Sequence, residues 1–224
     1  MKTIIYLHIC AINNWREIVK KIFDRIRSSG LYNKIESVRY TLLGDSECLN
    51  DEMFKDPKFH NIVYSPQLDL YESATLNKLW YAAQEEEEFN VLYLHSKGIS
   101  YNGKNDIVTK WVEYLTYFNI DRYADCLEQL KDNDVVGVNI YNFIMLHYSG
   151  NFWWSKSSYI KKSTQYCFQY TYNAPEYWIT LSREGSYVNI FHLGDVFSHL
   201  NLTEEDYKNK PLNIKKYKYT LEVS

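Results

Sequence analysis

Two short apolar runs constrain this chain more than any other feature. "KTIIYLHIC" (Lys2 to Cys10) and "VLYLH" (Val91 to His95) are continuous rather than alternating. Runs of that length and kind suit strands covered on both faces, as in a parallel sheet between two helical layers. The intervening sequence agrees. Trp15, Ile18, Val19, Ile22, Phe23 and Ile26 recur at helical spacing after Asn13 and Asn14, which can cap, and Gly30 stops the pattern. "IESVRYTLLG" (Ile35 to Gly44) and "NIVYSP" (Asn61 to Pro66) read as strands. "ESATLNKLWYAAQEEEE" (Glu72 to Glu88) reads as a helix with Leu76, Leu79, Trp80 and Ala83 facing inward.

Strand, helix, strand, strand, helix, strand is therefore the predicted order of the first hundred residues. That alternation predicts an α/β fold with a mixed, mostly parallel open sheet flanked by helices, its first half Rossmann-like. Beyond it, Asp106 to Asn133 reads as one helix, Asp134 to Tyr141 as a strand, and Phe143 to Lys162 as an aromatic turn ending in a short helix. Ala174 to Glu184 is expected to be helical from Pro175, and Tyr187 to Gly194 to form a late strand. No repeat or low-complexity linker divides the 224 residues, so a single domain is expected. Within it, 201–224 form a basic, tyrosine-rich tail.

Charge and composition narrow the partners. The formal net charge is -3, which offers no global basic field for nucleic acid or an anionic membrane. A nucleic-acid role for the tail (Lys208 to Tyr219) is thus the least favoured reading. Cys10, Cys48, Cys126 and Cys167 form no metal or CxxC spacing, which suits a reduced, cytoplasmic protein. The apolar N-terminal run is too short to span a bilayer. Aromatics reach 17%, with 22 Tyr and 6 Trp, and their flat faces with polar tips suit sugar rings and bases.

The sequence has no GxSxG elbow, no GxxxxGK[ST] loop and no GxGxxG after the first strand. Polar clusters at strand ends remain. His95-Ser96-Lys97-Gly98 follows "VLYL" at the edge where open α/β sheets hold ligands. "HYSGNFWWSKSSYI" (His147 to Ile160) sets a Gly150-Asn151 turn beside Phe152, Trp153 and Trp154. Glycine there would let backbone approach a ligand, and a Trp ring would give a stacking platform.

Taken together, "YESATLNKLWYAAQ", "VLYLHSKG", "VVGVN", "HYSGNFWW" and "PEYWI" resemble small glycosyltransferases of the GT-A fold, in particular a bacterial and giant-virus group with YLHxKG and SGNFWW motifs. The resemblance runs from Thr3 to about His192. It implies a nucleotide-sugar donor, a UDP-sugar being favoured, bound over the ends of the first strands, and a glycan or lipid-linked acceptor approaching from the C-terminal half. It divides about 1–105, as a donor-nucleotide half, from about 106–200, as an acceptor half. It places His8, Asn77, His95, Lys97, Gly98 and His192 on the donor, with His8 to Ala11 and Glu72 to Asn77 near its base and ribose, and Gly150, Asn151, Trp153 and Trp154 on the acceptor. Glu176 is the implied catalytic base, with Asp195 as the fallback. Most enzymes of this fold hold Mn²⁺ or Mg²⁺ on the donor diphosphate with an Asp-x-Asp pair. His95-Ser96-Lys97 stands in that place here, so a divalent metal is doubtful and the Lys97 ammonium is expected to replace it, with Lys156 as second choice. A transferase-like carbohydrate- or nucleotide-sugar-binding module without turnover is the alternative.

Overall fold

The computed structural model describes residues 1–142, 145–165, 174–182, 184–193 and 202–219. Its strands are β1 (Lys2–Ala11), β2 (Ser37–Gly44), β3 (Phe59–Ser65), β4 (Phe89–His95), β5 (Val135–Gly137), β6 (Ile140–Tyr141), β7 (His147–Tyr148), β8 (Trp153–Lys156), β9 (Gly185–Asn189) and β10 (Lys215–Tyr219). Its helices are α1 (Trp15–Ser28), α2 (Ser73–Glu85), α3 (Asp106–Thr116), α4 (Tyr123–Leu130), α5 (Ser157–Lys162) and α6 (Ala174–Trp178). Eight strands form one mixed, mostly parallel sheet in the order β10-β9-β5-β8-β4-β1-β2-β3. β8 runs antiparallel to both β4 and β5, and β10 antiparallel to β9; the other pairings are parallel.

Side chains alternate across each strand, so one sheet feeds two cores. Ile5, Leu7 and Ile9 of β1, with Leu92 and Leu94 of β4, pack under Val19, Ile22, Phe23 and Ile26 of α1 and Tyr114 and Leu115 of α3. Ile4, Tyr6, Val91 and Tyr93 pack on the other face under Leu76, Leu79 and Ala83 of α2 and Ile160 of α5. Each fully buried Leu, Ile or Phe contributes about 1.5–3 kcal/mol relative to exposure. The chain winds outward from β1 through β2 to β3, then crosses back to place β4 on β1's other side. The strand order thus reverses between β1 and β4. In open α/β sheets such a switch point leaves a crevice at the strands' carboxyl ends.

Several boundaries differ from the sequence expectation. The helix predicted over Asp106 to Asn133 is interrupted by a π-helical turn at Tyr117–Asp121. There the Asn119 carbonyl accepts from the Trp154 indole at 2.9 Å, and Asp121 takes Arg25 of α1 through Nε and Nη2 at 2.9 and 2.8 Å. An unbroken α-helix would commit that carbonyl to the amide four residues on. The strand predicted over Asp134 to Tyr141 splits at Asn139 (φ 62°), leaving β6 to pair with β7 in a separate two-stranded ribbon. Trp153–Lys156, read as part of a turn, is a central strand. Helix α6 spans five residues rather than running to Glu184. Residues 202–219, read as a tail, supply buried Leu202 and Tyr207 and the edge strand β10. Among the described residues no helix is long and apolar enough to cross a membrane.

Gly137 marks how tightly β5 is held. A Cβ there would lie 2.8 Å from Tyr148 Cδ1 and 3.0 Å from the Phe152 carbonyl oxygen. Tyr148 is fully buried, its hydroxyl set between the Val135 and Val188 carbonyls at 3.1 and 3.2 Å, and has little room to give way. Gly137→Ala is expected to cost about 1–3 kcal/mol in urea unfolding, in the range of overpacked cores; wild-type stability would contradict this packing.

Candidate active site

Parallel pairing of β1 and β4 sets His8 beside His95 at the carboxyl ends of the two strands. Ser96 then closes the sheet edge: its amide donates to the His8 carbonyl and its hydroxyl accepts from the Cys10 amide, both at 2.9 Å. Gly98, at φ +87°, turns the chain away; a Cβ there would meet Val108 of α3 at 3.1 Å. The crossover from β3 brings the N-terminus of α2 to the same edge. The result is a cleft of about 300 Å³ whose walls include His8, Tyr71, Glu72, His95, Lys97 and Glu176.

A buried network fixes the cleft's back wall. Glu72 Oε1 lies 2.9 Å from His95 Nδ1, and Glu72 Oε2 accepts from Asn151 Nδ2 at 2.9 Å. His95 Nε2 faces the Gly150 carbonyl at 2.9 Å. Asn151 Oδ1 in turn accepts from the Trp153 indole at 2.8 Å. Both ring nitrogens of His95 therefore face oxygen atoms of the framework. Burial pushes the Glu72 carboxyl upward, but the charge and hydrogen bond of His95, with help from Asn151, outweigh it and hold the group at about 2. Burial pushes His8 down to about 4, against the pull of Glu72, so its ring is neutral at pH 7; its Nδ1 lies 3.0 Å from the Thr75 hydroxyl.

Lys97 is placed differently. Its side chain is 11% exposed, and its ammonium sits 4.1 Å from the centroid of the Trp111 ring and 3.9 Å from Glu176 Oε1. No hydrogen bond from Nζ forms to any described residue. Burial lowers its pKa, opposed by Glu176 and Glu72. Gly150 makes room for it: a Cβ there would lie 2.5 Å from Leu115 Cδ1, 3.3 Å from Trp111 and 3.4 Å from Lys97 Cε.

The structure thus gathers His8, His95, Lys97, Gly98 and Glu176 around one cleft, with Gly150 and Asn151 behind it. Other expected site residues lie elsewhere. Trp153 and Trp154 are both 0% exposed, one in each core, because they alternate along β8. Neither offers a face for stacking, which corrects the expected acceptor platform. The close backbone approach at Gly150 is to the protein's own side chains. Asn77 is buried in α2 outside the cleft lining. His192 follows β9, separated from β4 by β5 and β8, and its backbone amide bonds the Asn213 side chain. Lys156 pairs with Asn90, near the start of β4, and so sits at the opposite edge; its Nζ donates to the Lys131 carbonyl at 3.0 Å. Asp195 lies outside the described residues. Tyr71 and Trp111 escaped the sequence reading as site residues, and Glu72 entered it only within the Glu72 to Asn77 stretch set near the donor's base and ribose. The signal available for Glu72 was a carboxylate at a helix N-cap where Ser, Thr, Asn or Asp is usual. Among the described residues no three His, Cys, Asp or Glu side chains converge to hold a metal ion.

Acid should destabilise the fold in two stages. His8 is depressed from 6.5 to about 4, so its contribution is complete above pH 6.5 and is lost as pH falls through 4. Glu72 is depressed from 4.5 to about 2, so its contribution is complete above pH 4.5 and is lost toward pH 2. Glu72→Gln is expected to cost about 3–5 kcal/mol at pH 7 and to flatten the lower limb in urea titrations from pH 8 to 3. A Glu72→Gln profile superimposable on wild type would contradict the pairing.

A comparison with curated proteins returns no match. Residues 5–174, which include both strand ends, Glu72, Lys97 and the Gly150-Asn151 turn, match the domain described as "Domain of unknown function (DUF8361)". The chain belongs to the DUF8361 family.

Proposed function

We propose that this protein is a glycosyltransferase that moves a sugar from a nucleotide-sugar donor, with a UDP-sugar favoured, to a hydroxyl of a glycan or lipid-linked acceptor. The observation that carries the reading is the Lys97 ammonium, largely buried at the switch point of the sheet, with hydrogen-bonding capacity to spare and a carboxylate 3.9 Å away. Bond cleavage between the sugar's anomeric carbon and the donor oxygen leaves negative charge on the departing diphosphate. A cation held in place beforehand in a poorly solvated cleft lowers that barrier without reorganising during the reaction. Lys97 takes that role, in the position where the resembling enzymes carry a metal-binding acidic pair. Glu176 accepts the proton of the acceptor hydroxyl as its oxygen bonds to the anomeric carbon, in an inverting displacement.

Glu176 and the donor then compete for one ammonium. At 3.9 Å the existing pair is at the limit of a salt bridge and too long for a hydrogen bond, so it is a weak contact for a diphosphate oxygen to replace. A diphosphate displaces the carboxylate from Lys97, leaving Glu176 available to the acceptor only once the donor is bound.

A thermal-shift panel of UDP, GDP, CDP and dTDP, with EDTA or Mn²⁺, tests the reading. A shift with one nucleotide in EDTA, absent in Lys97→Ala, is expected; no shift with any nucleotide under either condition would remove the proposal. Binding without turnover across a broad donor panel would instead indicate the non-catalytic module. Glu176→Gln is expected to bind inorganic pyrophosphate about two- to fivefold more tightly, because the competitor is gone. The same variant should transfer sugar about 10²–10⁴-fold more slowly. Weaker pyrophosphate binding by Glu176→Gln would refute the competition.

A further inference from the structure

We propose that Tyr71 is a stacking residue of the cleft, its ring held against the planar base of a bound nucleotide by a backbone conformation that suits glycine. The inference rests on the nucleotide reading above and adds a specificity-determining residue to it. Six described non-glycine residues have positive φ: Asn13, Asn102, Asn139, Asn151, Asn209 and Tyr71. Asparagine tolerates that region; a bulky aromatic there is an outlier. Tyr71 stands at φ 45° and ψ -141°, outside the left-handed helical well and in territory occupied almost wholly by glycine.

The kink itself has a structural use. It ends the turn at Leu68–Leu70, where the Tyr71 amide donates to the Leu68 carbonyl at 3.2 Å, and it delivers the next residue, Glu72, onto His95. Glycine would make that kink without strain. The chain instead carries a phenol there. The residue is 37% exposed and lines the cleft together with Leu68 and Ile12. Leu68 and Ile12 add apolar surface to that lining, and Ser100 and Tyr101 add hydroxyls. A partly exposed aromatic ring in such a lining suits the flat face of a nucleobase. Lys97 lines the same cleft, so one ligand can meet a cation with its phosphates and a flat ring with its base.

The test compares Tyr71→Gly, Tyr71→Ala and Tyr71→Phe by calorimetric titration with UDP, GDP, CDP and dTDP, with inorganic pyrophosphate as the probe that lacks a base. The Gly and Ala variants are expected to bind the cognate nucleotide about tenfold more weakly, to bind pyrophosphate as wild type does, and the Phe variant to retain nucleotide affinity. Strain predicts a second readout: Tyr71→Gly should melt about 2–6 °C above Tyr71→Ala, although both lose the same ring. Equal weakening for pyrophosphate would overturn the inference, because Tyr71 would then shape the cleft rather than cover a base. Unchanged nucleotide affinity in Tyr71→Gly would overturn it too. Wild-type protein that binds no nucleotide would remove the functional reading itself, and this inference with it.

Discussion

Glu72 accepts from His95 and from Asn151 at once, and the site takes its form from that double contact. Four segments meet there: the end of β4, the start of α2, the turn before β8 and, through Asn151, the Trp153 indole in the core beneath. Breaking a buried pair is costly because it strands a charge, whereas a pair of apolar residues could fill the same space at little loss. What the carboxylate contributes is direction: its two oxygens have two different partners, and only one docking of α2 against β4 and the Gly150-Asn151 turn satisfies both. Gly150 closes the arrangement, since any side chain there would run into Leu115.

This network explains why Lys97 can be buried. An ammonium taken out of water needs either neutralisation or a favourable surface. Trp111 supplies a ring face at 4.1 Å and Glu176 a charge at 3.9 Å. Neither is a hydrogen bond, so the charge is tolerated while all three donors remain to be used. His95, two residues before it, has no such freedom, since both its nitrogens are committed. Two residues of one motif thus part company, one serving the framework and the other keeping its donors unused.

Much of the fold was legible in the sequence because continuous apolar runs and helical periodicity are local signals. β1, α1, β2, β3, α2 and β4 follow directly from them. The second half was harder for physical reasons that particular residues make plain. "FWWSK" has no alternation to mark a strand, because β8 is buried on both faces and sets a Trp into each core. The π-turn at Tyr117–Asp121 answers to Trp154 and Arg25, partners distant in the chain. At the site, His8, His95, Lys97, Gly98 and Glu176 were found from strand ends and from the family resemblance, and they do share a cleft. Trp153 and Trp154 were misread because aromatic content alone does not say which rings are covered. Glu72 stood in a stretch set near the donor, but its pairing with His95 and Asn151 was not legible, because only the tertiary docking of α2 makes it.

Polar residues in a cleft are usually counted as candidates for chemistry, but the more telling measure is what each has left after the fold has used it. Ser96 holds the sheet edge, Asn151 and Glu72 hold each other, and His8 is neutral and bonded to Thr75. Subtracting them leaves a small set: an ammonium with no hydrogen-bond acceptor among the described residues, and the carboxylate near it. A ligand that met only the satisfied groups would have to break bonds already made inside the protein. One that met the residual set would gain contacts without that loss, and an anionic group is what the ammonium would favour.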